Sequence, residues 1–170
     1  APLAGTMTEG KPAVTDILAA PGAGVDDLLR LAASAPAGSE HPLGRAVLAR
    51  AGGVALARVS NFRARPGTGL VAEVEGRKLA IGNPRLMAEE KIELAPLADQ
   101  AGKIEVMGRT ITWIAELEPT RRLLGLMAFA DQLKPTSAEA VRLLHDAGLH
   151  VILLTGDNRA TAQAVASALG

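Results

Sequence analysis

The chain of 170 residues contains no cysteine. It therefore has no disulfide, no thiolate metal ligand and no catalytic thiol, an inventory that suits a reducing compartment. Aromatic side chains are almost as scarce, limited to Phe62, Trp113 and Phe129, which leaves little on which a run of bases could stack. An excess of either charge is missing too. The 18 Lys and Arg cancel the 18 Asp and Glu, and without a basic field a polyanion or an anionic membrane is a poor match, so no nucleic-acid partner is expected. Three histidines are too few for a histidine-rich metal store. The longest strongly apolar run, Leu123 to Ala130, falls far short of the roughly 18–20 residues that span a bilayer. The start of the chain lacks a signal-peptide pattern, and a soluble chain without direct membrane contact is expected. Apolar residues, by contrast, are plentiful at 48%, enough for a packed core in one ordinary domain or two small ones.

The apolar periodicity divides the chain. Residues 1–24 are rich in Gly, Pro, Ala and Thr, with a short strand end over Ala13–Leu18. Val25–Ser34 reads as a helix with Asp26 and Asp27 in its first turn. A second helix is predicted from Pro42, where a missing amide costs nothing, to Gly52–Gly53. Val59–Arg65 and Leu70–Glu75 alternate around the Pro66-Gly67-Thr68-Gly69 turn and read as strands, with Lys78–Ile81 as a third. Pro84–Glu89 and Glu93–Asp99 read as helices. Lys103–Val106 and Thr110–Leu117 read as a hairpin across Gly108, with Ile111, Trp113, Ala115 and Leu117 on one face. From Leu123 the pattern changes: Leu123–Ala130 and Leu149–Leu154 are continuous apolar runs expected of strands buried on both faces. A helix over Ser137–Ala147 between them, burying Ala140, Val141, Leu144 and Ala147, completes a βαβ unit. A last helix runs from Asn158 to Leu169. The fold class is thus α/β and α+β, antiparallel in the middle and parallel at the C-terminal end.

Chemistry concentrates in a few short segments. Thr155-Gly156-Asp157-Asn158 falls between a strand and a helix, where ligands bind in open α/β sheets and free helix amides attract anions. The plain alternative is a turn with Asp157 or Asn158 as an N-cap. Gly5-Thr6-Met7-Thr8-Glu9-Gly10 and Asp131-Gln132-Leu133-Lys134-Pro135 accompany it, as do Ser39-Glu40-His41-Pro42-Leu43 and Gly67-Thr68-Gly69.

Together, in this order and over nearly the whole chain, these segments resemble the ATP-binding region of heavy-metal-transporting P-type ATPases, the P1B subfamily, copper transporters among them. The resemblance implies a nucleotide-binding domain of antiparallel sheet and helices, residues 21–120, inserted in a partial haloacid-dehalogenase-like phosphorylation domain made of 1–20 and a truncated 121–170. It implies an ATP ligand accompanied by Mg²⁺. His41 would orient the adenine end, its imidazole offering a flat face and a hydrogen-bonding nitrogen, and Glu40 would orient His41 or simply be solvated. Gly67 and Gly69 would let nucleotide approach the backbone; an isolated Gly-X-Gly is otherwise just a turn. Leu70 and Asn83 would border the adenine slot, or serve as ordinary core and cap residues. Thr155 would donate to the transferring phosphoryl group, with Asp157 and Asn158 holding its loop, and Asp131 and Lys134 match the family's hinge motif, from which Gln132 departs. His145 and His150 read as surface or capping residues. No metal ligand is assigned.

The departures carry equal weight. The family's phosphorylated aspartate has no counterpart, because Pro2, Leu3 and Ala4 precede Gly5-Thr6. The chain stops before the family's GDGxND segment and later lysine, and Pro36 stands where many members carry a glutamate that reads the adenine amino group. The resemblance therefore implies an excised fragment, Ala1–Ala4 being an added leader, that binds nucleotide without turning it over. The parent would be a translocating hydrolase, working on the cytoplasmic side of a membrane with actuator and transmembrane domains as partners. Alternatives from other classes are a nucleotide-sensing or scaffold domain with no hydrolytic parent, and a fragment of a haloacid-dehalogenase-like phosphatase.

Overall fold

A computed structural model describes residues 6–36, 42–155 and 158–170. Six strands form one sheet in the order β1-β6-β5-β4-β3-β2, and every neighbouring pair is antiparallel. They are β1 (Thr8–Ala19), β2 (Val59–Arg65), β3 (Gly69–Val74), β4 (Arg77–Gly82), β5 (Thr110–Glu118) and β6 (Arg122–Leu133). The helices are α1 (Val25–Ser34), α2 (Pro42–Ala51), α3 (Pro84–Glu89), α4 (Ala98–Val106), α5 (Pro135–Asp146) and α6 (Arg159–Leu169).

Period-2 alternation gives the sheet two apolar faces, and each is covered. Leu28, Leu31 and Ala32 of α1 and Val47 of α2 pack on Val74, Leu79, Ile81, Ile114 and Met127. On the other face Leu86 and Met87 of α3 and Ala101 and Ile104 of α4 pack on Val71, Ala80, Trp113 and Leu126. The face expected of β5 is formed, with Trp113, Ala115 and Leu117 buried in this second core and Ile111 packed against it. The proline start of α2 and the limits of α1, α3 and β2 also match the expectation.

Three expectations are corrected. Lys103–Val106 is not a strand but the end of α4: Ala101 and Ile104, three apart, bury on one helical face, and the chain leaves through Gly108 at φ 77°. Leu149–Leu154 is not a strand, and no parallel pair forms among the described residues. β6 already has β5 on one edge and β1 on the other, so no hydrogen-bonding edge beside it is left, and Ile152 and Leu154 are each 79% exposed. Of the residues expected to bury on α5, only Val141 does so. The short strand end at Ala13–Leu18 is part of the longer β1, which runs on through Gly10 and Pro12 and absorbs them at a register shift against β6. The sheet is continuous across residues 20/21 and 120/121, since β1 and β6 pair with each other and β6 pairs with β5.

Candidate functional site

At one end of the sheet the chain encloses a cleft of about 390 Å³. Its floor is the turn between β2 and β3. Thr68 closes that turn, its amide and hydroxyl both donating to the Arg65 carbonyl at 3.0 and 3.2 Å. Asn83 fixes it from the side: its Nδ2 donates to the Gly67 carbonyl at 2.9 Å and its amide to the Thr68 carbonyl at 2.8 Å. The same side chain caps α3, Oδ1 accepting from the Leu86 amide at 3.1 Å. Asn83 thus acts through the turn that it holds, with its carboxamide already engaged at both ends.

The two glycines of the turn differ physically. At Gly67, φ is 75° and a Cβ would meet nothing within 4 Å, so the backbone is open to a ligand. At Gly69, φ is 147° and a Cβ would lie 2.1 Å from the Ile81 carbonyl oxygen and 2.6 Å from the Gly82 Cα. Gly69 therefore lets β3 and β4 touch, in register with Gly82. Gly82, whose own Cβ would lie 2.1 Å from the Thr68 oxygen, was missed in the sequence; the Ile81-Gly82-Asn83 order was its available signal. Leu70 of β3 lines the cleft beside them, opposite Leu43, Gly44 and Val47 of α2. Pro36 lines it as well, and Phe62, 47% exposed on β2, stands among the lining residues.

Gly67, Gly69, Leu70 and Asn83 are thus brought together in one cleft. Glu40, His41 and Asp157 lie outside the described residues; α2, which lines the cleft, begins directly after His41. Thr155 is half-buried ahead of α6 and does not line the cleft. Asn158 does cap α6, its Oδ1 accepting from the Thr161 amide at 2.9 Å.

A second cavity of about 580 Å³ adjoins the first, and Leu43, Thr110 and Phe129 line both. Asp131 borders it, accepting from the Thr8 hydroxyl at 3.2 Å. Lys134 follows at the junction of β6 and α5, its amide bonded to the Met7 carbonyl at 3.0 Å, where Ser137 Oγ also donates at 2.9 Å. These contacts tie the start of β1 to the exit from β6. Among the described residues no group of three or more His, Cys, Asp or Glu side chains could hold a metal ion.

Away from the clefts, charges are paired along the sheet. Glu116, 2% exposed, is bonded by Arg77 Nε and lies 3.5 Å from Arg122. Arg77 also reaches Asp27 at 2.8 Å, and Arg30 holds Glu75 through two bonds of 2.6 and 2.7 Å. Burial pushes the Asp27 carboxyl up, but its bond to Arg77 and the charges of Arg77 and Arg30 outweigh this and hold it below its usual value. The Arg30 bond draws Glu75 down likewise.

An antiparallel sheet with helices on both faces, and a glycine-floored apolar cleft at its end, gives the kind of concave apolar site in which small molecules are commonly bound. The chain belongs to the haloacid dehalogenase-like hydrolase family, whose model matches residues 3–170. It is 43% identical to a copper-transporting P-type ATPase of Rhizobium leguminosarum bv. viciae over 168 residues, 98% of this chain and 20% of that protein. It is 39% identical over the same share to a silver exporting P-type ATPase of Salmonella typhimurium, again 20% of that protein. The structure of a zinc-transporting PIB-type ATPase in the E2.Pi state superposes with a TM-score of 0.84 at 32% identity, over 97% of this chain and 26% of that one. The chain spans about a fifth of the length of the curated relatives it matches, and the resemblance to P1B-type ATPases read from its motifs is borne out.

Proposed function

We propose that this chain is the nucleotide-binding part, with a portion of the phosphorylation domain, of an ATP-driven heavy-metal transporter. Residues 21–120 bind the nucleotide; 1–20 and 121–170 belong to the phosphorylation domain, and β1 and β6 are the strand pair through which the two communicate, with the hinge at Asp131 and Lys134. The observation that best supports this reading is the convergence of Gly67, Leu70 and Asn83 on one apolar cleft beside the start of α2. A flat heterocycle suits that cleft: apolar walls cover its faces, and the open backbone at Gly67 permits close approach.

Within the cleft His41, oriented by Glu40, takes the adenine end and Leu70 packs against the ring. Gly67 gives the close approach, while Gly69 and Asn83 hold the turn in place. ATP would carry its Mg²⁺ on its own phosphates, where the ion would offset their charge, and no residue of this chain is assigned to it. Thr155, with Asp157 and Asn158 behind it, serves the phosphoryl group in the parent. Pro2-Leu3-Ala4 offers no nucleophilic carboxylate ahead of Gly5-Thr6, so this chain binds nucleotide without turning it over. The parent works on the cytoplasmic side of its membrane with actuator and transmembrane domains.

Calorimetric titration of ATP into the chain and into His41→Ala tests the reading. The substitution is expected to cost ~1–3 kcal/mol of binding, the worth of one oriented contact in a partly desolvated slot, with the fold retained. Equal ATP affinity in the two proteins would remove His41 from the site.

A further inference from the structure

The two adjoining cavities differ in character. The first is walled by glycines and apolar side chains and carries no charged residue among its described lining. The second is bordered by Thr8, Asp131, Asn158, Thr161 and Arg109. Leu43, Thr110 and Phe129 line both, so the two cavities abut, and Arg109 is the only cation among the described residues that line them.

The setting of Arg109 is fixed. It follows Gly108, at φ 77°, in the turn from α4 to β5, and that turn is wedged against α6: a Cβ on Gly108 would lie 2.7 Å from the Ala160 carbonyl oxygen. Thr161 Oγ1 donates to the Gly108 carbonyl at 3.3 Å. The guanidinium reaches across β6 to β1, where Nη1 donates to Asp16 Oδ2 at 2.6 Å. Among the described residues Asp16 is its one partner, and a guanidinium carries five donors in a rigid fork. Arg109 itself borders the second cavity, which adjoins the heterocycle-sized first one.

We propose that Arg109 binds the polyphosphate of a nucleotide whose base occupies the glycine-floored cleft. This rests on the nucleotide reading above and adds the direction in which the ligand lies, from the β2–β3 turn past Thr110 toward the start of β5. A guanidinium anchored by one carboxylate presents its remaining donors to phosphate oxygens at no further ordering cost. Asp131 borders the same cavity beyond Phe129, and its charge opposes extension of the phosphates past Arg109. ADP and ATP therefore gain equally from Arg109.

Calorimetric titrations of adenosine, ADP and ATP into the parent chain, Arg109→Ala and Arg109→Lys test this, with thermal unfolding of each. In Arg109→Ala, ADP and ATP are expected to bind about tenfold more weakly, as for loss of one charged hydrogen-bonding partner, with adenosine unchanged. Arg109→Lys keeps an ion pair with Asp16 and hence the fold; ADP and ATP should weaken about threefold, because an ammonium cannot serve carboxylate and phosphate with separate arms. Equal losses for adenosine and ATP in Arg109→Lys, or no loss for ATP in either variant, would overturn the assignment while leaving the cleft as the base site. Failure of the parent chain to bind either adenosine or ATP would overturn both.

Discussion

Alanine at Gly69 and alanine at Gly67 are chemically the same change two residues apart, and the structure assigns them opposite consequences. At Gly69 the added carbon would sit 2.1 Å from the Ile81 oxygen, against ordinary C···O contacts of about 3.3–3.6 Å. The strands must separate by more than ~1 Å, which breaks the geometry of the Gly69–Gly82 register and of the 2.8 Å bond from the Asn83 amide to Thr68. Overpacking against backbone costs ~1–3 kcal/mol and forcing alanine to φ 147° costs a similar amount, so the sum is roughly 2–6 kcal/mol. For a chain of this length that lowers the melting temperature by about 4–24 °C. At Gly67 nothing lies within 4 Å, and the cost reduces to a left-handed alanine, ~1–2 kcal/mol, or a few degrees. Calorimetric melting with ATP titration at 20 °C separates the two. Gly69→Ala should lose stability first and binding as a consequence; Gly67→Ala should stay folded and lose ATP affinity. A Gly69→Ala protein melting within 2 °C of the parent would refute the packing argument.

Two further predictions concern charge. Arg77→Ala leaves the buried Glu116 with only the Arg122 partner at 3.5 Å and Asp27 with only Arg30 at 3.5 Å, so urea unfolding should report a loss of ~2–4 kcal/mol, somewhat less than for a wholly orphaned buried charge; a loss under about 0.5 kcal/mol would show that Arg122 or solvent compensates. Asp27 and Glu75 have folded pKa values held below their unfolded ones, so their contribution is complete above about pH 5 and is lost as pH falls through the depressed values, below ~4. Melting temperature should be flat from pH 7 to 5 and drop between pH 4 and 3, and Arg77→Ala should shallow that drop; an identical slope in the variant would exclude the Asp27 pair.

Much of the cleft could be read directly from residue patterns. The alternation of Val59–Arg65 and Leu70–Glu75 around a glycine turn defines β2 and β3, and proline at the first position of α2 and α3 marks their starts, because both signals are local. Lys103–Val106 misleads because its β-branched Ile104 and Val106 favour a strand in isolation, whereas burial of Ala101 and Ile104 over Trp113 decides for helix. Leu149–Leu154 carries the apolar run of a buried strand, yet a strand needs a free neighbouring edge, and β1 has taken the one beside β6. That pairing links residues more than a hundred positions apart, and no local pattern contains it. The role of Gly69 was hidden for the same reason: a glycine required by a cross-strand glycine has the same appearance in a sequence as one required by a ligand.

The most direct test of the account follows backbone amide shifts of the isotopically labelled chain as ATP is added. Binding of the base in the glycine-floored cleft predicts that the largest changes cluster on residues 36–43 and 67–70, with smaller ones reaching Arg109 and Thr110. Changes confined to residues 155–158, with the cleft silent, would contradict it.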